Sequence, residues 1–363
     1  MYLLDVQEID RTAKLDAGTL FDLVKLSFGV VAGAGALVAL VVAYRRQRVD
    51  EAGAHREATR LHTERFSQAV DKLGSDSPAV RLGGVHALAG LADDAPDDNL
   101  RQTCIDVLCA YLQLPFTPDP GDDPAHQEER HRYLALRKVR HTILRLIGDH
   151  YRRPQGTHRS WQGCDLDLTG VTIDGNMNFA DAVFSGGSVS FEGAVFSGGR
   201  VSFAGVVFSG GSVSFEGAVF SGSRVSFAGA DFSGGRVSFA SVGFSGEVSF
   251  AAATFSDGSV YFNRATFSEG EVSFGSATFC GGSVHFDRAS FSGGRVYFGG
   301  ARFVGSSTRF PDGRVSFADA VFTDGRVTFI RATGSAPQGL LAAVGTPAPA
   351  TVTLPSDWVP SIP

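Results

Sequence analysis

From residue 179 onward, phenylalanines recur at alternating spacings of five and seven, through Phe179, Phe184, Phe191, Phe196, Phe203, Phe208, Phe215, Phe220, Phe227, Phe232, Phe239 and Phe244. The spacing slips to six between Phe244 and Phe250, resumes to Phe303, and is seven twice around Phe310, as if a half-unit were inserted there. Two positions before one Phe of each pair stands Val (Val189, Val201, Val213), and two before the other usually Ala (Ala182, Ala194, Ala218). Inward residues at a period of two predict very short strands. The Ser-Gly-Gly steps between them supply positive φ and tight corners. A coil of one 12-residue unit would leave no room for stacked phenyl rings, so two units, 24 residues, are expected per turn. The alternation of Glu192 and Glu216 with Ala204 and Ala228, and of Ser188 and Ser212 with Arg200 and Arg224, repeats at that same 24. Residues 164–334 would then make about seven coils, a rod on the order of 34 Å long. Its core is assigned to Phe184, Phe191, Phe196, Phe203, Phe208, Phe215, Phe220, Phe227, Phe232 and Phe239.

A different pattern opens the chain. Leu26 to Tyr44 is a run of 19 residues without a charge, enough at about 1.5 Å per residue to cross a hydrocarbon core of about 30 Å. The preceding 25 residues hold five acids against three bases, unlike the basic start of a cleaved signal peptide. Arg45, Arg46 and Arg48 follow the run at once, so the positive-inside rule predicts a single-pass bacterial inner- or plasma-membrane protein with its C-terminal part cytoplasmic. Gly29, Ala32, Gly33, Ala36 and Ala39 form a small-residue stripe that would let two such helices approach as a homodimer.

Between the two lies a helical stretch. Leu61, Phe66, Val70 and Leu73 give helical spacing over 49–73. Gly74 then suits a C-cap, Ser77 an N-cap and Pro78 a first helical position. A second helix to about Ala92 should bury Val80, Val85, Leu88 and Leu91, and a third Leu100, Ile105, Val107, Leu108 and Tyr111. After a Pro- and Asp-rich loop from Leu114 to Pro124, residues 126–151 predict a basic helix with Leu134, Leu136, Val139, Ile143, Leu144 and Ile147 inward. The expected organisation is therefore a tail 1–25, a transmembrane helix 26–44, a helical juxtamembrane region 45–160, a β-solenoid 161–334, and a Pro/Ala-rich tail 335–363 without fixed structure. Trp161 and Trp358 are placed to cover the two open ends of the rod.

Composition narrows the chemistry. The net charge of −6 and the absence of a long basic run argue against direct nucleic-acid binding. Cys104, Cys109, Cys164 and Cys280 lack C-x-x-C spacing and are expected as free thiols. The histidines, including His126 with His131 and His141 with His150, do not fall at i, i+4 and are expected to be solvated. Asp93, Asp94, Asp97 and Asp98 have the placement of helix-end and loop charges. No phosphate loop, nucleophile elbow or zinc motif is present, so neither a catalytic site nor a metal or cofactor is expected.

Units such as AVFSG and ADFSG resemble the repeat of the pentapeptide-repeat family, with Leu168 and Ile173 opening the series in DLDLTGVTI. The segment ERFSQAVDKLGSDSPAVRLGGVHALAGLADDAP followed by CIDVLCAYL is similar to the helical region that precedes such repeats in bacterial membrane-anchored members. The resemblance implies a right-handed quadrilateral β-helix, and an α+β multi-domain chain overall. The V-S-F half-units and two-residue corner insertions depart from that repeat. The function it implies is a non-catalytic, membrane-tethered scaffold that binds an unidentified partner protein. Some relatives instead mimic DNA and protect or inhibit a type II topoisomerase, which would need a strongly acidic face. Between residues 164 and 334 there are 15 acids and 11 arginines, a weak imbalance.

Overall fold

A computed structural model describes residues 16–117, 119–222, 224–304 and 315–359. The chain divides into two units, Met1–Leu61 and His62–Pro363. In the first, helix α1 (Ala17–Leu73) is continuous through the apolar run and extends on into the second unit. Among the described residues it is the helix long and apolar enough to cross a membrane. Arg45, Arg46 and Arg48 lie on it, exposed, and Arg48 Nε donates to Tyr44 OH at 3.0 Å.

In the second unit, α2 (Pro78–Asp93), α3 (Asp98–Gln113) and α4 (Gln127–Tyr151) pack on one another, and Ala69 and Leu73 at the end of α1 join their core. Pro78 opens α2 and the Asp97 side chain caps α3 by accepting from Leu100 N. Gly84 makes close packing of α2 on α1 feasible, since a Cβ there would come within 2.6 Å of Leu73 N. Two expected core positions are on the surface: Val80 is 41% exposed and Leu134 42%. Val80 sits in the first turn of α2, ahead of its buried stripe. On α4, Val139, Ile143, Leu144 and Ile147 are buried as expected, and near its start Tyr133 is buried where Leu134 was expected.

The described residues between 166 and 334 form the β-solenoid, about seven coils of two- and three-residue strands in four parallel sheets. The first sheet starts at Leu166–Asp167, the second at Thr172–Ile173, the third at Met177–Asn178 and the fourth at Val183–Phe184. Register confirms the 24-residue coil: Val189 pairs with Val213, Phe196 with Phe220 and Val201 with Val225. The slip after Phe244 is a residue missing from one corner, so that Val225 pairs with Val248 and the rings stay aligned. Val284 pairs with Val315, seven residues further than the 24 that part Val260 from Val284. Phe310 lies outside the described residues, and the ladder continues without it, Phe317 stacking on Phe286 at 4.7 Å.

The interior is four columns of stacked phenyl rings. Phe227, for instance, lies between Phe203 at 4.8 Å and Phe250 at 4.9 Å, and meets Phe215 and Phe239 edge-on. Offset and T-shaped ring pairs contribute about 0.5–1.5 kcal/mol beyond area burial. The ten phenylalanines from Phe184 to Phe239 assigned to the core are all buried.

Both ends are closed. At the start, side chains of α3 and α4 satisfy the backbone edge of the first coil: Gln102 exchanges two hydrogen bonds with Asp165, Gln113 donates to Asp167 O, Arg140 to Thr172 O and Arg152 to Asn178 O. Trp161 is fully buried and Tyr151 packs on Phe184 at 5.0 Å. At the other end the tail, expected without structure, folds as a lid. Val352–Thr353 adds a strand to the third sheet, Gln338 bridges to Ser316, the short helix α5 (Leu340–Val344) lies against Val321–Phe322, and Trp358 covers Phe303 and Phe329. Trp358 Nε1 donates to Gly334 O at 2.8 Å. Unpaired strand edges and exposed rings supply the apolar and polar demand that this short Pro-rich segment meets.

Candidate interaction face

Three places bring together side chains that could carry chemistry. The first is a Cys–His pair that its 42-residue separation hid in the sequence: Cys104 Sγ lies 3.7 Å from His62 Nε2. Burial pushes the thiol up to about 12 and, as the largest cause, lowers His62. A protonated thiol with no exposed surface is inert as a nucleophile.

The second is centred on Asp93. His150 donates from Nδ1 to Leu146 O, stacks on Trp161 at 4.1 Å and brings Nε2 within 3.1 Å of the Asp93 carboxylate, to which Trp161 Nε1 also donates. Arg153 and Arg159 add charge at 3.7 and 3.8 Å. Asp93 is thus more than the helix-end charge expected from its position, and His62 and His150 are buried where solvated histidines were expected. The cause is tertiary: α4 and Trp161 close over the end of α2, and residues 57 to 68 positions apart meet. The third is Asp174, held by Arg137, His141 and Tyr133. Asp93 ties the end of α2 to α4 and Trp161, and Asp174 ties α4 to the first coil. Among the described residues no three metal-ligating side chains converge.

The face that projects functional groups outward is the third sheet. From Arg200–Ser202 to Arg295–Tyr297 each strand there presents its first side chain to solvent, buries its second and half-buries its third, and in Arg326–Thr328 the third is buried as well. Register stacks the first positions as Arg200, Arg224, Glu247, Glu271, Arg295 and Arg326. Beside them runs a column of hydroxyl side chains, small at Ser202, Ser226, Ser249 and Ser273 and then Tyr297 and Thr328. Arg224 and Glu247 form an ion pair. Equivalent positions on the first two sheets are nearly uncharged, Ser188, Ser212, Arg236, Ser259 and Ser283 on the first and Val195, Val219, Gly243 and Thr266 on the second, and the fourth carries Asp231 and Arg302 in its column.

Neither a family model, nor a curated protein, nor a solved structure matches the chain. The geometry therefore has to be interpreted by its own chemistry. The stacking of Arg200 on Arg224 was legible from the 24-residue spacing. The continuation to Glu247, Glu271, Arg295 and Arg326 was not, because the missing corner residue and the seven-residue insertion each shift the count.

Proposed function

We propose that the chain is a membrane-anchored, non-catalytic scaffold whose solenoid binds a partner protein through its outward faces. The observation that carries this reading is the third sheet: a rigid, regularly spaced array of charges and hydroxyls with the chemistry of recognition and no reactive centre behind it. A stacked repeat buries its core between neighbours and leaves outward positions to a ligand. The repeat pattern, the four sheets and the N-terminal apolar helix support a right-handed, four-sided pentapeptide-repeat solenoid held at a bacterial inner membrane by α1, with everything beyond Arg48 cytoplasmic. A topoisomerase-directed DNA mimic would need an acidic column, and the third sheet has arginine at both ends with only two acids between them.

The test is in-cell crosslinking of the full-length protein, followed by affinity capture and mass spectrometry, with Phe227→Asp as the rod-breaking control. A charge placed among four phenyl rings cannot be satisfied and should open the central coils. Recovery of one protein with the wild type and not with the control is expected. Equal recovery with both would move the binding function off the solenoid.

A further inference from the structure

The charges of the third sheet run plus, plus, minus, minus, plus, plus along successive coils. All six side chains are exposed. Within one molecule this order is unfavourable in part: Arg200 stacks on Arg224, Glu247 on Glu271 and Arg295 on Arg326, each about 4.8 Å apart, and like charges directly opposed on a sheet destabilise it. At the second sign change, between Glu271 and Arg295, no ion pair is formed among the described residues.

We propose that this face pairs with the same face of a second copy, antiparallel, about a two-fold axis between the Glu271 and Arg295 coils. The inference rests on the solenoid being an interaction surface and names an occupant for its third sheet. A two-fold contact is self-complementary, so residue i meets j and j meets i. With the axis between Glu271 and Arg295, Glu271 faces Arg295 of the second copy and Glu247 faces Arg326, each twice, so the four charges nearest the axis each meet one of opposite sign, while Arg224 and Arg200 face no charge of this column. A parallel two-fold would put each residue opposite itself, plus on plus and minus on minus, which the same charges reject. In the neighbouring column the same axis sets Ser249 opposite Thr328 and Ser273 opposite Tyr297, so each tyrosine has a small residue to lie over. The contact is separate from the small-residue stripe of α1 and does not need it.

The test is a charge-swap cycle in full-length protein in detergent micelles, with oligomeric mass measured by light scattering at low salt and at about 500 mM NaCl, where exposed charges are screened beyond ~4–5 Å. The wild type should dimerise at low salt and weaken at high salt. Glu271→Arg and Arg295→Glu should each raise the dimer dissociation constant about tenfold or more, since each turns two attractive pairs into repulsive ones. The double variant Glu271→Arg with Arg295→Glu should restore the dimer, an outcome that local misfolding could not produce. Circular dichroism of the single variants should match the wild type. A monomeric wild type, single variants that stay dimeric, or a double variant that stays monomeric would each overturn the proposal. The partner capture with Phe227→Asp tests the scaffold reading separately, so the pairing can fail while the scaffold stands.

Discussion

Every second corner of the solenoid places one residue in the left-handed region, and the chain fills that position in two ways. In several coils it is glycine, as in the turn Phe215-Glu216-Gly217-Ala218, closed by Ala218 N donating to Phe215 O at 3.0 Å. In others it is Asp181, Ser241, Ala252, Arg264, Ser276 or Arg288, with φ of 57–59°. The position tolerates a side chain because it points to open space: a Cβ on Gly217 meets nothing within 4 Å. The Ser-Gly-Gly corners differ, for successive coils lie against each other there, and a Cβ on Gly235 would come 2.6 Å from Gly211 O. Gly217→Ala should therefore cost only the backbone strain, about 1–2 kcal/mol, while Gly235→Ala adds a clash with main chain that cannot move alone, for about 3 kcal/mol or more in total. Urea denaturation followed by circular dichroism reads both, and equal costs at the two sites would refute the distinction.

At the scale of elements, the join between α4 and the first coil depends on Asp174. Burial by itself would raise this carboxyl, but hydrogen bonds from His141 and Tyr133 and the nearby Arg137 outweigh it, and the net shift is below the ordinary 3.8. A carboxyl depressed in the folded state stabilises fully above its unfolded pKa and loses that contribution as pH falls through the folded value. The join should thus weaken only below about pH 4. Asp174→Asn is expected to lose about 1–2 kcal/mol at neutral pH, because the amide gives up the charge-assisted part of these hydrogen bonds while its oxygen still accepts one. Its stability should then fall less steeply than the wild type's below pH 4, which melting curves at stepped pH would show. This clamp, like Asp93 with His150 and Trp161, was invisible in the sequence, because its members are separated by 33 to 68 positions with no period to connect them. The solenoid was legible for the opposite reason. Each phenylalanine repeats its neighbour's environment 24 residues on, so one spacing encodes strand, core and register together. The helices fall between these cases: Val85, Leu88, Ile105 and Ile143 were readable as core, and the burial of Tyr133 in place of Leu134 depends on what the start of α4 packs against, Phe116 at 5.4 Å.

At the scale of the whole molecule, a stack of nearly identical coils has cooperative neighbours everywhere except at its ends, so the lids decide whether it stays a closed rod. In such a stack stability is close to a sum of coil and interface contributions, and damage at one end spreads slowly inward. The C-terminal lid fills three needs at once. Val352–Thr353 pairs the last strand of the third sheet, Gln338 N donates to Val315 O on the first, and Trp358 lies on the end rings Phe303 and Phe329 while donating to Gly334 O. Trp358→Ala should remove about 3–5 kcal/mol of local stability, and hydrogen exchange should report the loss in the amides of Phe303 to Gly334 while those of Phe196 to Phe262 keep their protection. Removing everything after Gly334 should go further. It bares a row of unpaired strand groups beside aromatic rings, a template for edge-to-edge joining, so light scattering should show concentration-dependent growth of large particles in the truncated protein alone. A truncated protein that stays dispersed, or protection lost equally along the whole rod in Trp358→Ala, would mean that the coils are held by a single global cooperativity and that the tail is not their lid.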